Sequence, residues 1–265
     1  MDLGGLFDLE SHGPDTYLGV GPQYPWGGLY GGQIIAQALR AATLTVDPAY
    51  QLHSLHAYFI RLGDAAEPIR LEVDRIRNGR SFLTRRVVAR QSIGAILNMS
   101  SSFHLPEEGQ IIQTEQMPAV AKPESLPADS WSPLFDRRFL AADIAPGRVG
   151  AWLKLNEDLG DDSVIHTCGL AYLSDDLPSD AIVARHPDRA PRGTPVRRFW
   201  NASLDHVIWF HHTTRANEWH FYDFTCRGLI GTHGLSVGSI FDAHGRHVAT
   251  VSQEVLIRPR RQDPA

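Results

Sequence analysis

Cysteine is scarce in this chain, which contains only Cys168 and Cys226 among its 265 residues. Two isolated thiols with no Cys-x-x-Cys spacing exclude a zinc knuckle and a disulfide framework. Long apolar runs are also missing, since no segment approaches the roughly 18 residues that a membrane-spanning helix needs. The opening residues MDLGGLFDLE lack the basic stretch and the apolar core of a secretory signal. We therefore expect a cytoplasmic protein without a membrane segment.

Positive charge is limited too, with 25 Lys and Arg against 30 Asp and Glu and a net charge of −5. Because a nucleic-acid surface needs concentrated Lys and Arg, we expect no nucleic-acid partner. Short basic clusters such as Arg85-Arg86 are typical of solvated faces, although one of them could meet a phosphorylated small molecule. A hydrophobic content of 43% with 21% charged residues is ordinary for a globular chain of one large domain or two small ones.

What the chain does contain is a weak internal repeat. HSLHAYFIR (53–61) and LDHVIWFHH (204–212) share a strand-like pattern at an offset of 151 residues. Three further pairs follow at a nearly constant offset: PIRLEV (68–73) with EWHFYD (218–223), LTRRVVARQ (83–91) with SVGSIFDAH (236–244), and AILNMSSSFHL (95–105) with RHVATVSQEVL (246–256). The turn glycines Gly94 and Gly245 repeat the spacing. Two unrelated antiparallel meanders would look similar, so the repeat favours duplication without establishing it.

A buried helix precedes the first meander. GGQIIAQALRAATLTV (31–46) is apolar around most of a helix circumference. Because Gly31 and Gly32 have no side chains, a substrate could reach the first N–H groups of this helix. These N–H groups could stabilise negative charge on a carbonyl oxygen of the substrate. In the second half, Ser179 and Asp180 are candidate N-caps of a shorter helix.

These elements predict an α+β architecture in two units. The first unit is expected over 1–110 and the second over 146–265, with a Pro- and acid-rich linker at 111–145 that is exposed and partly mobile. Joining the two sheets edge to edge would remove one exposed edge from each.

Several motifs together resemble one family, the type II acyl-CoA thioesterases, which are TesB-like double-hotdog proteins. The motifs are GGQIIAQALRAA, LHSLHAYFIRLGD, RNGRSFLTRRVVARQ, SLDHVIWFHH and VATVSQEVLIR, and they cover both halves in the same order. The resemblance implies a double hotdog fold, in which two hotdog units form a continuous antiparallel sheet wrapped around two central helices. It also implies hydrolysis of acyl-CoA to a fatty acid and CoA by direct water attack, without a metal or other cofactor, in a homodimer or larger homo-oligomer.

The resemblance also names site residues. In the family an Asp, a Thr or Ser, and a Gln hold the attacking water, and by motif the Asp and Gln correspond to Asp205 and Gln253. Arg227 and Gly228 stand where the hydroxyl is expected, in the segment YDFTCRGLIGTHGL. Thr225 would share a strand face with Arg227 and is the candidate substitute.

The chemistry fits these residue types. A carboxylate can accept the proton of water, and the Gln amide can orient water without changing charge. The guanidinium of Arg227 would lower the pKa of Asp205 and attract an anionic group of the substrate, so Arg227 and Gly228 are substrate-binding candidates. At the repeat offset, the first unit has Ser54 and Ser102 in place of Asp205 and Gln253.

Two alternatives stay open at this stage. Asp205 could cap a strand end or pair with an arginine instead of acting on water. The missing hydroxyl at Arg227 is compatible with an acyl-CoA-binding protein that has little or no hydrolytic activity.

Histidine is frequent towards the C-terminus, with seven residues between His206 and His247 inclusive. The adjacent His211 and His212 would point to opposite faces of a strand, and no His-x-His pattern occurs, so we expect no metal site. The two cysteines show no motif typical of a catalytic nucleophile, which argues against covalent catalysis by a thiol.

Overall fold

The computed structural model describes residues 2–190 and 198–260. The first half contains α1 (Leu3–Phe7), β1 (Glu10–Ser11), β2 (Thr16–Gly19), α2 (Gly31–Thr43), β3 (Gln51–Phe59), β4 (Ile69–Asn78), β5 (Phe82–Gln91) and β6 (Gly94–His104). The second contains β7 (Phe135–Phe139), β8 (Arg148–Leu155), α3 (Ser163–Ser174), α4 (Pro178–Arg185), β9 (Phe199–Ser203), β10 (Asp205–Phe210), β11 (His220–Ile230), β12 (His233–Asp242) and β13 (His247–Pro259).

One antiparallel sheet runs through the molecule in the order β1-β2-β4-β5-β6-β3-β10-β13-β12-β11-β8-β7, and β9 pairs with the end of β13. The two units meet where β3 pairs with β10, and Tyr58 lies opposite Asp205 there. This pairing removes an exposed edge from each unit. The face that packs on α2 and α3 is called the inner face below. The expected double hotdog, with one continuous sheet around two central helices, is confirmed.

The strand predictions are confirmed in all four repeated pairs, and the two turn glycines adopt positive φ angles of 108° at Gly94 and 84° at Gly245. Helix α2 is buried nearly all round, as its apolar circumference predicts. The basic cluster differs from the expectation of a solvated face, because Arg85 is buried. Its guanidinium donates to the Thr45 hydroxyl and to the carbonyls of Thr45, Arg77 and Thr84.

The second central helix is α3, which the sequence patterns did not predict. Asp162 caps it by accepting a hydrogen bond from the Val164 N–H. The predicted N-caps Ser179 and Asp180 are wrong, since both lie inside α4, which begins with a proline after Leu177. A helix that is apolar on all sides has no polar stripe to reveal its period, so its residues resemble a buried strand.

The predicted linker at 111–145 is less exposed than expected, and it contains β7 of the sheet and a short 3-10 helix (Pro123–Ser125). Leu126 and the half-buried Met117 and Val120 pack on Trp152, Phe221 and Phe241, which lie on the outer face of the second unit. The Trp152 Nε1–H also donates to the carbonyl of Ala121. The longest exposed run in this region, residues 106–112, overlaps only the first two residues of the predicted linker. Of the helices that the structure describes, none has the length and apolar character needed to span a membrane.

Candidate active site

A buried carboxylate lies where the two central helices meet. Asp175 follows the last residue of α3, and its Oδ2 accepts a hydrogen bond of 2.9 Å from the N–H of Gly32 near the start of α2. Its Oδ1 accepts one of 3.0 Å from the hydroxyl of Ser203. Burial raises the pKa of Asp175 to about 7, against the opposing effect of hydrogen bonds from Ser203, Gln253 and Gly32.

Ser203 and Gln253 complete the site. Ser203 ends β9, and Gln253 lies on β13 with its side chain on the inner face. The Nε2 of Gln253 donates to Ser203 Oγ over 2.7 Å. A carboxylate, a hydroxyl and an amide are therefore joined by consecutive hydrogen bonds at the helix junction.

Gly31 and Gly32 are required by close contact at this junction. A Cβ on Gly31 would lie 2.5 Å from Asp175 Oδ2, and a Cβ on Gly32 would lie 2.2 Å from the carbonyl of Tyr172. The two glycines therefore allow α2 to place its N-terminus, with its partial positive charge, against the carboxylate. The sequence predicted both residues as substrate-binding candidates, whereas in the structure they contact Asp175, which accepts the Gly32 N–H.

The neighbouring acid has a different environment. Asp176 is held by the Arg137 guanidinium through two hydrogen bonds of 2.9 and 3.0 Å, and by the Trp131 Nε1–H over 2.6 Å. Both oxygens of Asp176 are thus engaged by strong donors. Asp175 is paired only with neutral donors among the described residues, and such a carboxylate remains basic.

The structure does not bring Asp205 and Thr225 to Gln253. His206 is buried on the inner face, so the side chain of Asp205 beside it points to the outer face. Asp205 is the first residue of β10, and its Oδ1 accepts a hydrogen bond from the N–H of Glu254 on β13. Thr225 lies on β11, two strands from β13 and next to the inward-facing Phe224, so it is also on the outer face. The predicted grouping is not formed, and the geometry favours the alternative in which Asp205 caps a strand.

In β11 Arg227 forms a bulge, and Gly228 follows it opposite Leu235 on β12. Together with Arg185 they line a cavity of about 390 Å³. Cys226 is directly opposite Ser236, which is opposite Gln253, so the cavity opens two strands, or about 10 Å, from the amide. The predicted substrate-binding pair is therefore near the Asp175 site but not part of it.

A signal for the missed residues was present in the sequence. Ser203 is the first residue of the SLDH motif, and Asp205 is its acid. The sequence-based hypothesis gave the catalytic role to this acid and not to Ser203. Asp175 follows an apolar segment that gave no helical pattern. Only the pairing of β9 with β13 places Ser203 opposite Val255 and close to Gln253.

The arrangement can hold and deprotonate a water molecule. The Asp175 carboxylate can accept a proton, the Ser203 hydroxyl can accept or donate, and one amide N–H of Gln253 remains after its bond to Ser203. Nothing in this set requires a covalent intermediate. No group of three or more His, Cys, Asp or Glu side chains within 2–190 and 198–260 is arranged to hold a metal ion.

Comparison with known proteins identifies the family. The acyl-CoA thioesterase N-terminal domain matches residues 21–104, and the acyl-CoA thioesterase C-terminal domain matches residues 114–257. Acyl-CoA thioesterase 2 of Haemophilus influenzae is 32% identical over 278 residues, covering 96% of either chain. This chain belongs to the acyl-CoA thioesterase family. The resemblance seen in the motifs is confirmed.

Other acyl-CoA thioesterases agree with this assignment. Acyl-coenzyme A thioesterase 8 of Mus musculus is 29% identical over 97% of this chain and 89% of its own. The crystal structure of the acyl-CoA thioesterase II TesB2 from Mycobacterium marinum superposes with a TM-score of 0.86, at 36% identity and full coverage of both chains. A hot dog protein from Alicyclobacillus acidocaldarius has a TM-score of 0.79 at 17% identity over 98% of both chains, which supports the fold alone.

Proposed function

We propose that this acyl-CoA thioesterase hydrolyses its substrate by direct attack of a water molecule held by Asp175, Ser203 and Gln253. The observation that carries the proposal is the run of hydrogen bonds from Gln253 through Ser203 to the buried carboxylate. A base of raised pKa beside two groups that orient water is the combination that hydrolysis at neutral pH requires.

In this mechanism Asp175 takes a proton as the water oxygen adds to the thioester carbonyl carbon. The negative charge that develops on the carbonyl oxygen lies near the N-terminus of α2, which favours it. The tetrahedral intermediate then collapses with cleavage of the C–S bond. The proton held by Asp175 passes to the departing CoA sulfur, which leaves a fatty acid and the free thiol.

The hydrolytic function is favoured over binding alone by Ser203. The alternative of a binding protein depended on a missing hydroxyl at Arg227, and Ser203 supplies a hydroxyl at 3.0 Å from Asp175 Oδ1. Asp205 in this proposal is a strand cap, and Thr225 has no role in catalysis.

We further propose that Arg185 and Arg227 bind the phosphate groups of CoA. Both arginines line one cavity that lies two strands from Gln253, and guanidinium is well suited to phosphate recognition. Gly228 leaves the wall of this cavity open, because a Cβ there would meet no atom within 4 Å.

The test is release of free thiol from a panel of acyl-CoAs, followed with a thiol-reactive dye. Asp175→Asn and Gln253→Ala should each lower kcat by roughly 10²-fold or more, the scale for loss of a general base or a positioning group. Asp205→Asn is the matched control, since it alters a carboxylate on the opposite face of the sheet. Loss of turnover in Asp205→Asn with full turnover in Asp175→Asn would reverse the assignment.

We also propose that the chain forms at least a homodimer in the cytoplasm. Tyr58 and Leu62 are 66% and 70% exposed near the junction of the two units, and large apolar side chains at the surface favour association. Cys168 and Cys226 are free thiols, which suits a reducing compartment. A monomer in light scattering at micromolar concentration would contradict the dimer.

A further inference from the structure

His206 is a buried histidine next to the proposed active site. It lies on β10 with its ring on the inner face, fully shielded from solvent. Its Nδ1 is hydrogen-bonded to Gln253 Oε1, and its Nε2 lies 2.9 Å from Ser174 Oγ. The ring therefore bridges the amide of Gln253 and the last residue of α3, directly before Asp175.

The direction of these hydrogen bonds follows from counting donors. Gln253 uses Nε2 to donate to Ser203, so its Oε1 faces His206 and can only accept. His206 must then carry its proton on Nδ1, which leaves Nε2 as an acceptor. The single Ser174 hydroxyl proton has two acceptors within reach, the Ala171 carbonyl at 2.8 Å and His206 Nε2 at 2.9 Å.

The result is one directed series of hydrogen bonds. It runs from His206 to Gln253, from Gln253 to Ser203, and from Ser203 to the carboxylate of Asp175. Every neutral group in the series donates in the same direction. Reversing the Gln253 amide would turn its carbonyl oxygen towards Ser203, and this oxygen would then compete with Asp175 for the hydroxyl proton.

The first unit shows that packing alone does not require a histidine here. On β10 and β13, His206 lies one residue beyond the Val207–Ser252 pair and is therefore opposite Gln253. At the repeat offset its counterpart is Leu55, which lies opposite Ser101 on β6. On the inner face of the first unit, the counterpart of Gln253 is thus Ser101. The repeat offset predicts the neighbouring residue, Ser102, for this position. Leu55 is as fully buried as His206, so an aliphatic side chain fills this position where no amide needs a donor.

We propose that His206 is a positioning residue that fixes the orientation of the Gln253 amide, so that the amide N–H groups face Ser203 and the attacking water. This inference rests on the proposed function of Asp175, Ser203 and Gln253. His206 touches neither water nor substrate in this role. Burial lowers the pKa of His206 to about 4, so the ring stays neutral and keeps a single N–H donor near neutral pH.

The kinetic test is a double-mutant cycle between His206→Leu and Gln253→Ala. His206→Leu copies the first unit and should lower kcat by roughly 10-fold or more with little change in KM, a coupling of the size seen for residues in one hydrogen-bond network. In the Gln253→Ala background the same substitution should have no further effect, because His206 acts only through the amide. His220→Leu is the matched control, since His220 is equally buried but hydrogen-bonded to Thr214 and Glu218.

A second measurement does not depend on how the leucine variant folds. Nitrogen-15 NMR of the histidine rings in the wild-type protein should show His206 protonated on Nδ1, with its signal assigned by the change that Gln253→Ala produces. Protonation on Nε2 would overturn the inference, as would equal effects of His206→Leu with and without Gln253. Wild-type turnover in both Asp175→Asn and Gln253→Ala would overturn the proposed function and this inference together. Loss of turnover in those two variants with wild-type kcat in His206→Leu would overturn this inference alone.

Discussion

Asp175 and Asp176 are adjacent in sequence, yet only Asp176 has a charged partner among the described residues. Arg137 binds Asp176 at 2.9 Å, whereas Asp175 receives hydrogen bonds from the Gly32 N–H and the Ser203 hydroxyl. The turn at the end of α3 therefore separates a structural carboxylate from a basic one. The raised pKa of Asp175 has consequences for stability and for rate that can be measured separately.

The contribution of Asp175 to the stability of the protein should fall as the pH rises from about 4 to about 7. The pKa of Asp175 is about 7 when folded against 3.8 for an unperturbed Asp, so the folded state binds more protons in this window. The stabilisation from the protonated Asp175 carboxyl is complete below the unfolded pKa of 3.8 and is lost as the pH rises through the folded pKa of about 7. From this group the free energy of unfolding falls by at most roughly 1.4 kcal/mol per pH unit. Urea unfolding of wild type and Asp175→Asn across this range measures the difference. Parallel pH curves for the two proteins would show that Asp175 does not titrate as argued.

Catalysis should have the opposite dependence on pH. Asp175 must be ionised to accept the proton of water, so kcat/KM should rise with pH and level off above about 7. The measurement is a pH profile of thiol release with one acyl-CoA. A profile flat from pH 5 to 8, at constant protein integrity, would exclude Asp175 as the base.

The fold could be predicted from the sequence because strands and turns leave local signals. Alternation at period two located the four repeated strand pairs, and Gly94 and Gly245 marked the turns. Helix α3 left no such signal, since SVIHTCGLAYLS is apolar on most sides. Missing that helix also hid Asp175, because its place at the helix junction is a property of packing.

The site was predicted only in part for a related reason. Gln253 was predicted from the family motif and is retained in the proposed site, whereas Gly31 and Gly32 were predicted as substrate-binding residues from their place before α2. Ser203 and Asp205 are two residues apart in sequence, so the motif alone could not decide which of them acts. That choice depends on Ser203 ending β9 and on Asp205 facing the outer side of β10, which are tertiary features.

Arg227→Ala should raise KM for acyl-CoA with little effect on kcat. Arg227 and Arg185 line the cavity proposed for the phosphate groups, so the loss should affect binding of the nucleotide part only. An acyl thioester of N-acetylcysteamine, which lacks all phosphates, is the control substrate. An equal rise in KM for both thioesters would place the effect of Arg227 elsewhere.

Limited proteolysis should cut the chain first between residues 106 and 112. Ile111 and Ile112 are 79% and 77% exposed, and this stretch contains no helix or strand, so little burial opposes the local unfolding that cleavage needs. Residues 113–126, whose one regular element is a short 3-10 helix (Pro123–Ser125), should resist cleavage longer. Gln113 is hydrogen-bonded to Gly245 and His247, and Leu126 is buried against the outer face of the sheet. Mass spectrometry of fragments from a short digestion with a nonspecific protease identifies the first site. Cleavage starting at 119–130 would contradict the packing of the linker and restore the sequence-based expectation of a mobile segment.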